Sequence, residues 1–138
     1  MKTALDQNTE LYKILNASTV LKSAITGDIY KTVRPANSVL EDIVVNTIVL
    51  DEGSLQRGVS NVNIHVADLQ QTIGTSSTKY YAPNEGRLKV IADLVKPLIE
   101  DTYKNDFSLS ISGSSLIGQP EINQHYFNFR VDFIFENP

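Results

Sequence analysis

The sequence predicts an α+β domain: a mainly antiparallel sheet of about four to five strands with two helices packed on one face, in the order α-β-β-β-α-β-β. Three observations predict it. Period-two alternation recurs in "NVNIHVAD" and "HYFNFRVDFIFE", one long segment carries a helical apolar face, and the strands arrive in consecutive runs rather than alternating with helices. With 138 residues the chain fits one domain, residues 1–138, large enough to bury roughly two thirds of the surface its unfolded form exposes.

The first helix is expected in "NTELYKILN", with Asn8 or Thr9 as cap and Leu11, Tyr12 and Leu15 at helical spacing. Ser18 can cap a second short turn bearing Val20, Leu21, Ala24 and Ile25, which Gly27 is placed to end in a left-handed conformation. A strand follows in "DIYKTVRP", stopped by Pro35, which has no N–H to donate to a ladder. The run from Glu41 to Leu50 carries β-branched side chains on both parities, as in a strand covered on both sides. The chain turns at "DEGSLQRG" and returns through "VSNVNIHVAD".

A loop of about fifteen residues, Gln70 to Gly86, comes next; unstructured loops of that length are often binding elements. Asn84 is positioned to cap the main helix, whose face comprises Leu88, Ile91, Ala92, Val95, Leu98 and Ile99, with Pro97 expected to bend it or make one turn irregular. Two strands close the chain. "FSLSIS" sets Phe107, Leu109 and Ile111 against three serines, and the last strand sets Phe127, Phe129, Val131, Phe133 and Phe135 against polar residues. Between them "SGSSLIG" reads as a flexible turn. Phe129, Val131 and Phe133 are expected to pack on Leu88, Ile91 and Val95.

Composition excludes several functions. Cysteine is absent, which removes disulfides, thiol catalysis and thiolate metal sites. With 12 basic and 16 acidic side chains the net charge is -4, and the basic residues are scattered singly, so specific nucleic-acid recognition is not expected. "MKTALDQNTELYK" lacks the apolar stretch of a signal peptide, and no membrane interaction is expected.

The only histidines are His65 and His125, and either Asp68 or Asp132 would have to join them to hold zinc; no HExxH-like pair supports that geometry. His65 belongs to the polar face of its strand with Asn61 and Asn63, so replacing it with alanine is expected to cost less than about 1 kcal/mol. Asp68 has the opposite parity and meets His65 only if the strand ends or bulges between them. No G-x-S-x-G, G-x-x-x-x-G-K-[ST] or G-x-G-x-x-G motif occurs. The expected catalytic, cofactor and metal residues are therefore none, and no enzyme is expected. Tyr80 and Tyr81 are the candidate protein-interaction residues: adjacent tyrosines in a polar loop either anchor a partner or fold back as the loop's own plug. The loop from Thr72 to Gly86 is expected to be mobile alone and ordered by a partner.

Taken together, "LYKIL", "SAITGDIYKTVRPANSVLEDIVVNTI", "NVNIHVAD", "EGRLKVIADLVKPLIED" and "YFNFRVDFIFEN" resemble, in order and phrasing over about residues 10 to 136, the tail terminator (tail completion, head-tail joining) proteins of long-tailed bacteriophages. The resemblance implies a subunit without cofactor that forms a ring, commonly a hexamer, ending tail-tube polymerisation and joining tail to head. Its implied partners are further copies of itself, the tail tube protein and head-completion proteins. Its implied place is the neck of a virion assembled in a bacterial cytoplasm. The alternatives are another neck component, such as a head-closure or minor tail protein, and a small hydrolase or ligand-binding module.

Overall fold

Thr3 opens the first helix, α1 (Ala4–Asn16), in a computed structural model that describes residues 1–137. Its hydroxyl accepts a hydrogen bond from the Asp6 amide while the Asp6 carboxylate accepts one from the Thr3 amide at 2.7 Å, so two orphan donors of the first turn are satisfied. The helix thus starts several residues before the expected cap. Ser18 does cap the second helix, α2 (Thr19–Ala24), by accepting from the Leu21 amide. Gly27 has a different task from the one expected. A Cβ there would lie 2.6 Å from the Glu41 carbonyl oxygen and 1.9 Å from the Asp42 carboxylate, so glycine permits close approach to the Glu41–Asp42 segment rather than a left-handed turn.

The predicted sheet is too small and too uniform in direction. Six strands form one mixed sheet in the order β1-β2-β3-β8-β7-β6: β1 (Ile29–Lys31), β2 (Asp42–Leu50), β3 (Leu55–Ala67), β6 (Thr102–Tyr103), β7 (Phe107–Gln119) and β8 (Gln124–Glu136). β1 runs parallel to β2 because α2's exit and the loop around Pro35 carry the chain back to start both strands from the same end; the other pairs are antiparallel. Three helices, not two, accompany the sheet, the third being α3 (Glu85–Ile99).

Two segments expected to be irregular are strands. The stretch from Gln70 to Gly86 contains β4 (Leu69–Thr72) and β5 (Lys79–Ala82), a separate antiparallel hairpin. "SGSSLIG" lies inside β7, bulged at Ser112 and paired with β8 from Gly113 onwards, and the reversal comes later through a 3-10 turn at Pro120–Ile122 and Asn123 in a left-handed conformation.

Even-numbered residues of β3 and odd-numbered residues of β8 face the helices. Val62, Ile64, Phe129, Val131, Phe133 and Phe135 join Leu11, Leu15, Leu88, Ile91 and Val95 in one buried cluster, which holds both the main-helix and the last-strand residues expected to pack together. Burying each such side chain contributes about 1.5–3 kcal/mol. Asn84 caps α3 by accepting from the Arg87 amide at 3.2 Å. The helix continues through Pro97, which lies exposed two residues before its end.

Candidate interaction surfaces

Tyr80 and Tyr81 project from β5, each 47% exposed, and the β4–β5 hairpin also exposes Leu69 and Ile73. Tyr81 is held only at its tip, where its hydroxyl accepts from Gln70 Nε2 across the hairpin at 3.1 Å. Neither ring plugs a core: the alternation of strand β5 presents one to each side of a two-stranded ribbon, and a two-stranded ribbon has no interior.

The hairpin is rooted by a pair that parity arguments on β3 missed. Asp68 does not meet His65; it meets His125 of β8, with Asp68 Oδ1 and His125 Nδ1 2.6 Å apart, while the Asp68 amide donates to the Asn123 carbonyl at 3.0 Å. Those two bonds join the base of the β4–β5 hairpin to the tip of the β7–β8 hairpin. His125 also lies over Gly118, where an added Cβ would sit 3.1 Å from Nε2.

His65 is on the face away from the helices, as alternation requires, yet it is buried, only 8% exposed, contrary to the expected tolerant polar site. Its ring lies 5.0 Å from that of Tyr126, and its Nδ1 has no hydrogen-bond partner among the described residues. Burial, reinforced by the nearby Arg34 charge, pushes its pKa down to about 4, so the imidazole is neutral at pH 7. Around it, a shallow cleft of about 310 Å3 is lined by Arg34, Asn46, Asn63, Gln119 and Tyr126 among others. Amides run across this face of the sheet: Asn61 donates to Asn46 at 3.0 Å, and Asn128 donates to both Asn61 and Asn63 at 3.0 and 2.8 Å. Among the described residues no carboxylate is hydrogen-bonded to His65. Among the described residues no group of three or more His, Cys, Asp or Glu is placed to hold a metal ion, and no helix is long and apolar enough to cross a membrane.

The cleft is bounded by a locked loop that composition did not reveal. The Asp42 carboxylate, fully buried, accepts from Arg34 at 3.0 Å, from the Ser38 hydroxyl at 2.6 Å and from the Asp28 amide at 3.2 Å. Arg34 donates also to Gln124, whose Nε2 donates to the Ser38 carbonyl at 2.7 Å. On the helix side Arg87 of α3 binds both oxygens of Glu41, at 2.5 and 2.8 Å, and the Ala24 carbonyl, fastening α2, α3 and β2 together. The one sequence signal for the first network was an acid, Asp42, at the start of an otherwise apolar strand.

Beyond this frame the sheet has bare edges. β6 covers β7 only at Ser108 and Leu109, and β1 covers β2 only from Ile43 to Val45. Every residue from Ser112 to Gly118 is exposed, as are Ile48 and Val49. An apolar groove of about 280 Å3 also opens between α3 and the β7–β8 hairpin, lined by Leu88, Ala92, Leu116 and Phe127 with Glu85 and Lys89 at its rim.

No protein-family model matches the sequence, and no curated protein matches it. Solved structures do match. A chain from a structure described as "Virion of native gene transfer agent (GTA) particle" superposes with a TM-score of 0.61 at 12% identity, covering 99% of this chain and 100% of that one. At that identity the likeness is one of fold, and it extends over the whole of both chains.

Proposed function

We propose that this chain is a non-catalytic structural subunit of a phage-like virion, of the tail terminator type, which assembles into a ring at the head-proximal end of the tail tube. The observation that carries the reading is the fold match to a virion chain, which covers 99% of this chain and 100% of that one. The surfaces agree with it. An assembly subunit needs edges and anchors for partners, and this chain presents open strands on both sides of its sheet and two tyrosines on a projecting hairpin. A catalyst needs converging ionisable groups, whereas His65 here is a neutral imidazole among amides, and Asp68 and His125 are engaged with each other at a hairpin root. The net charge of -4 suits a ring whose bore passes DNA without gripping it. In this reading the ring is a hexamer, its partners are the tail tube and the head-completion proteins, and its place is the neck of a particle assembled in the bacterial cytoplasm.

Immunogold electron microscopy on particles from the cells that encode the chain tests it. Label confined to the junction of head and tail is expected. Label at the tail tip, on the capsid surface or nowhere on the particle contradicts it.

A further inference from the structure

We propose that the two open edges of the sheet are each other's partners in neighbouring copies: the Gly113–Gly118 stretch of β7 in one subunit pairs antiparallel with the Asn46–Leu50 stretch of β2 in the next. The proposal deepens the ring reading and rests on it.

The first argument is the chemistry of the edges. An exposed edge strand offers a row of unpaired amides and carbonyls, and proteins that remain monomeric blunt such rows with charge, proline or a covering segment. From Ser112 to Gly118 β7 carries neither a charge nor a proline, and it is covered by nothing beyond Leu109. On the far side of the sheet Asn46 to Leu50 is also uncharged, lies beyond the short cover of β1, and exposes half of both Ile48 and Val49. The two stretches are six and five residues long, so neither leaves much of the other unpaired.

The second argument is direction. β2 opposes β3, β3 opposes β8 and β8 opposes β7, so within one chain β2 and β7 run antiparallel. Rotation about a ring axis to which the strands are inclined keeps each strand's upward or downward sense, so a neighbouring copy brings its β2 to this β7 in antiparallel sense, and repetition of one heterologous contact closes a ring. Within one chain Ser114–Ile117 stands level, through β8 and β3, with Asp42–Val45 and not with the open end of β2, so the strands tilt to the ring axis as they do in a barrel.

The third is register and charge. Directly opposed residues must share a face. Val49, paired with Val59 within its own chain, lies on the face away from the helices, as does Ser115, which pairs with Asn128. Setting Val49 against Ser115 sets Leu50 against Ser114 and Asp51 against Gly113. The residue beside Gly113 on β8 is Arg130, exposed on that same face. With no side chain on Gly113 in the way, the guanidinium can reach across it towards Asp51 and Glu52 of the neighbour. No other register that respects the faces brings the acidic end of β2 level with Arg130.

The absence of native cysteine makes the contact readable by disulfide trapping. Val49→Cys and Ser115→Cys, both at exposed positions, are mixed under mild oxidation and analysed by non-reducing electrophoresis, beside native mass spectrometry of the unmodified chain. The expected result is a covalent dimer in the mixture and not in either variant alone, and a ladder in the double variant that stops at the copy number of the native ring. A cross-link at Gly113→Cys or Ile117→Cys in place of Ser115→Cys supports the same edges with the register moved by two. Dimers of Ser115→Cys alone overturn the proposal in favour of a two-fold pairing of β7 with itself. A native ring with no cross-link at any of these positions overturns the edge pairing and leaves the ring reading standing. A chain that stays monomeric at every concentration overturns both.

Discussion

The half of the sheet under the helices and the half that projects beyond them are built on opposite terms. Under the helices, Ile43, Ile64, Phe133 and Phe135 are wholly or almost wholly buried, and the arginines near them are bound by carboxylates that fix the loops. Beyond the helices, Ser112 to Gly118 and the β4–β5 hairpin keep strand geometry with hardly a buried side chain. The first half supplies its own burial. The second has regular hydrogen bonding on one side only.

Replacing a side chain in the covered half has the largest expected effect. Phe133→Ala removes a ring stacked on Phe135 at a centroid distance of 5.5 Å and is expected to cost about 3–5 kcal/mol in urea unfolding, most of the stability of a typical domain. A cost below about 1 kcal/mol would break the distinction between the halves.

A change of pH probes the margin between them, where His65 is buried on the uncovered face. Its folded pKa of about 4 lies below the unfolded value near 6.5, so the unfolded chain takes up the proton first as pH falls. Stability is therefore fully present above about pH 6.5 and declines towards pH 4. Between pH 7 and 4.5 the natural chain is expected to lose about 2 to 3 kcal/mol more than His65→Gln, measured by urea midpoints at the two pH values. Equal losses would place His65 in water.

The smallest effect on the subunit alone is expected where the largest effect on assembly lies. Exchanging Tyr80 and Tyr81 together for serine should change monomer stability by no more than about 0.5 kcal/mol, because both rings are half exposed on a ribbon, while ring formation or tube binding is lost. Unchanged assembly, read by light scattering and negative-stain microscopy, would remove the tyrosines from any interface.

What the sequence disclosed follows the same division. The main helix, its Asn84 cap and the Phe129, Val131 and Phe133 contact were legible because a buried face imposes a period on the residues that fill it. "SGSSLIG" was not, because its strand geometry comes from pairing with β8 and not from its own serines and glycines, which favour turns. The β4–β5 hairpin was hidden likewise, since "QQTIGTSSTKYY" has no buried face to announce it. Capping by Thr3 was obscured because aspartate, not glutamate, completes the box, and the Arg34–Asp42 network because its members lie up to 90 residues apart when Gln124 is included. Of the candidate site, composition singled out the two tyrosines, which the structure places half exposed on β5; the open edges become visible only when strand order is known.

Amide hydrogen exchange on the free chain and on its assembled form measures the contrast most directly. In both states the amides of β3 and of β8 from Phe127 to Phe135 should exchange slowly. The outward-pointing amides of Gly113–Gly118 and Asn46–Leu50, which donate to neither β8 nor β3, and those of the β4–β5 hairpin should exchange fast in the free subunit and become protected on assembly. Slow exchange of those amides in the free chain, or no added protection in the assembly, would contradict the account.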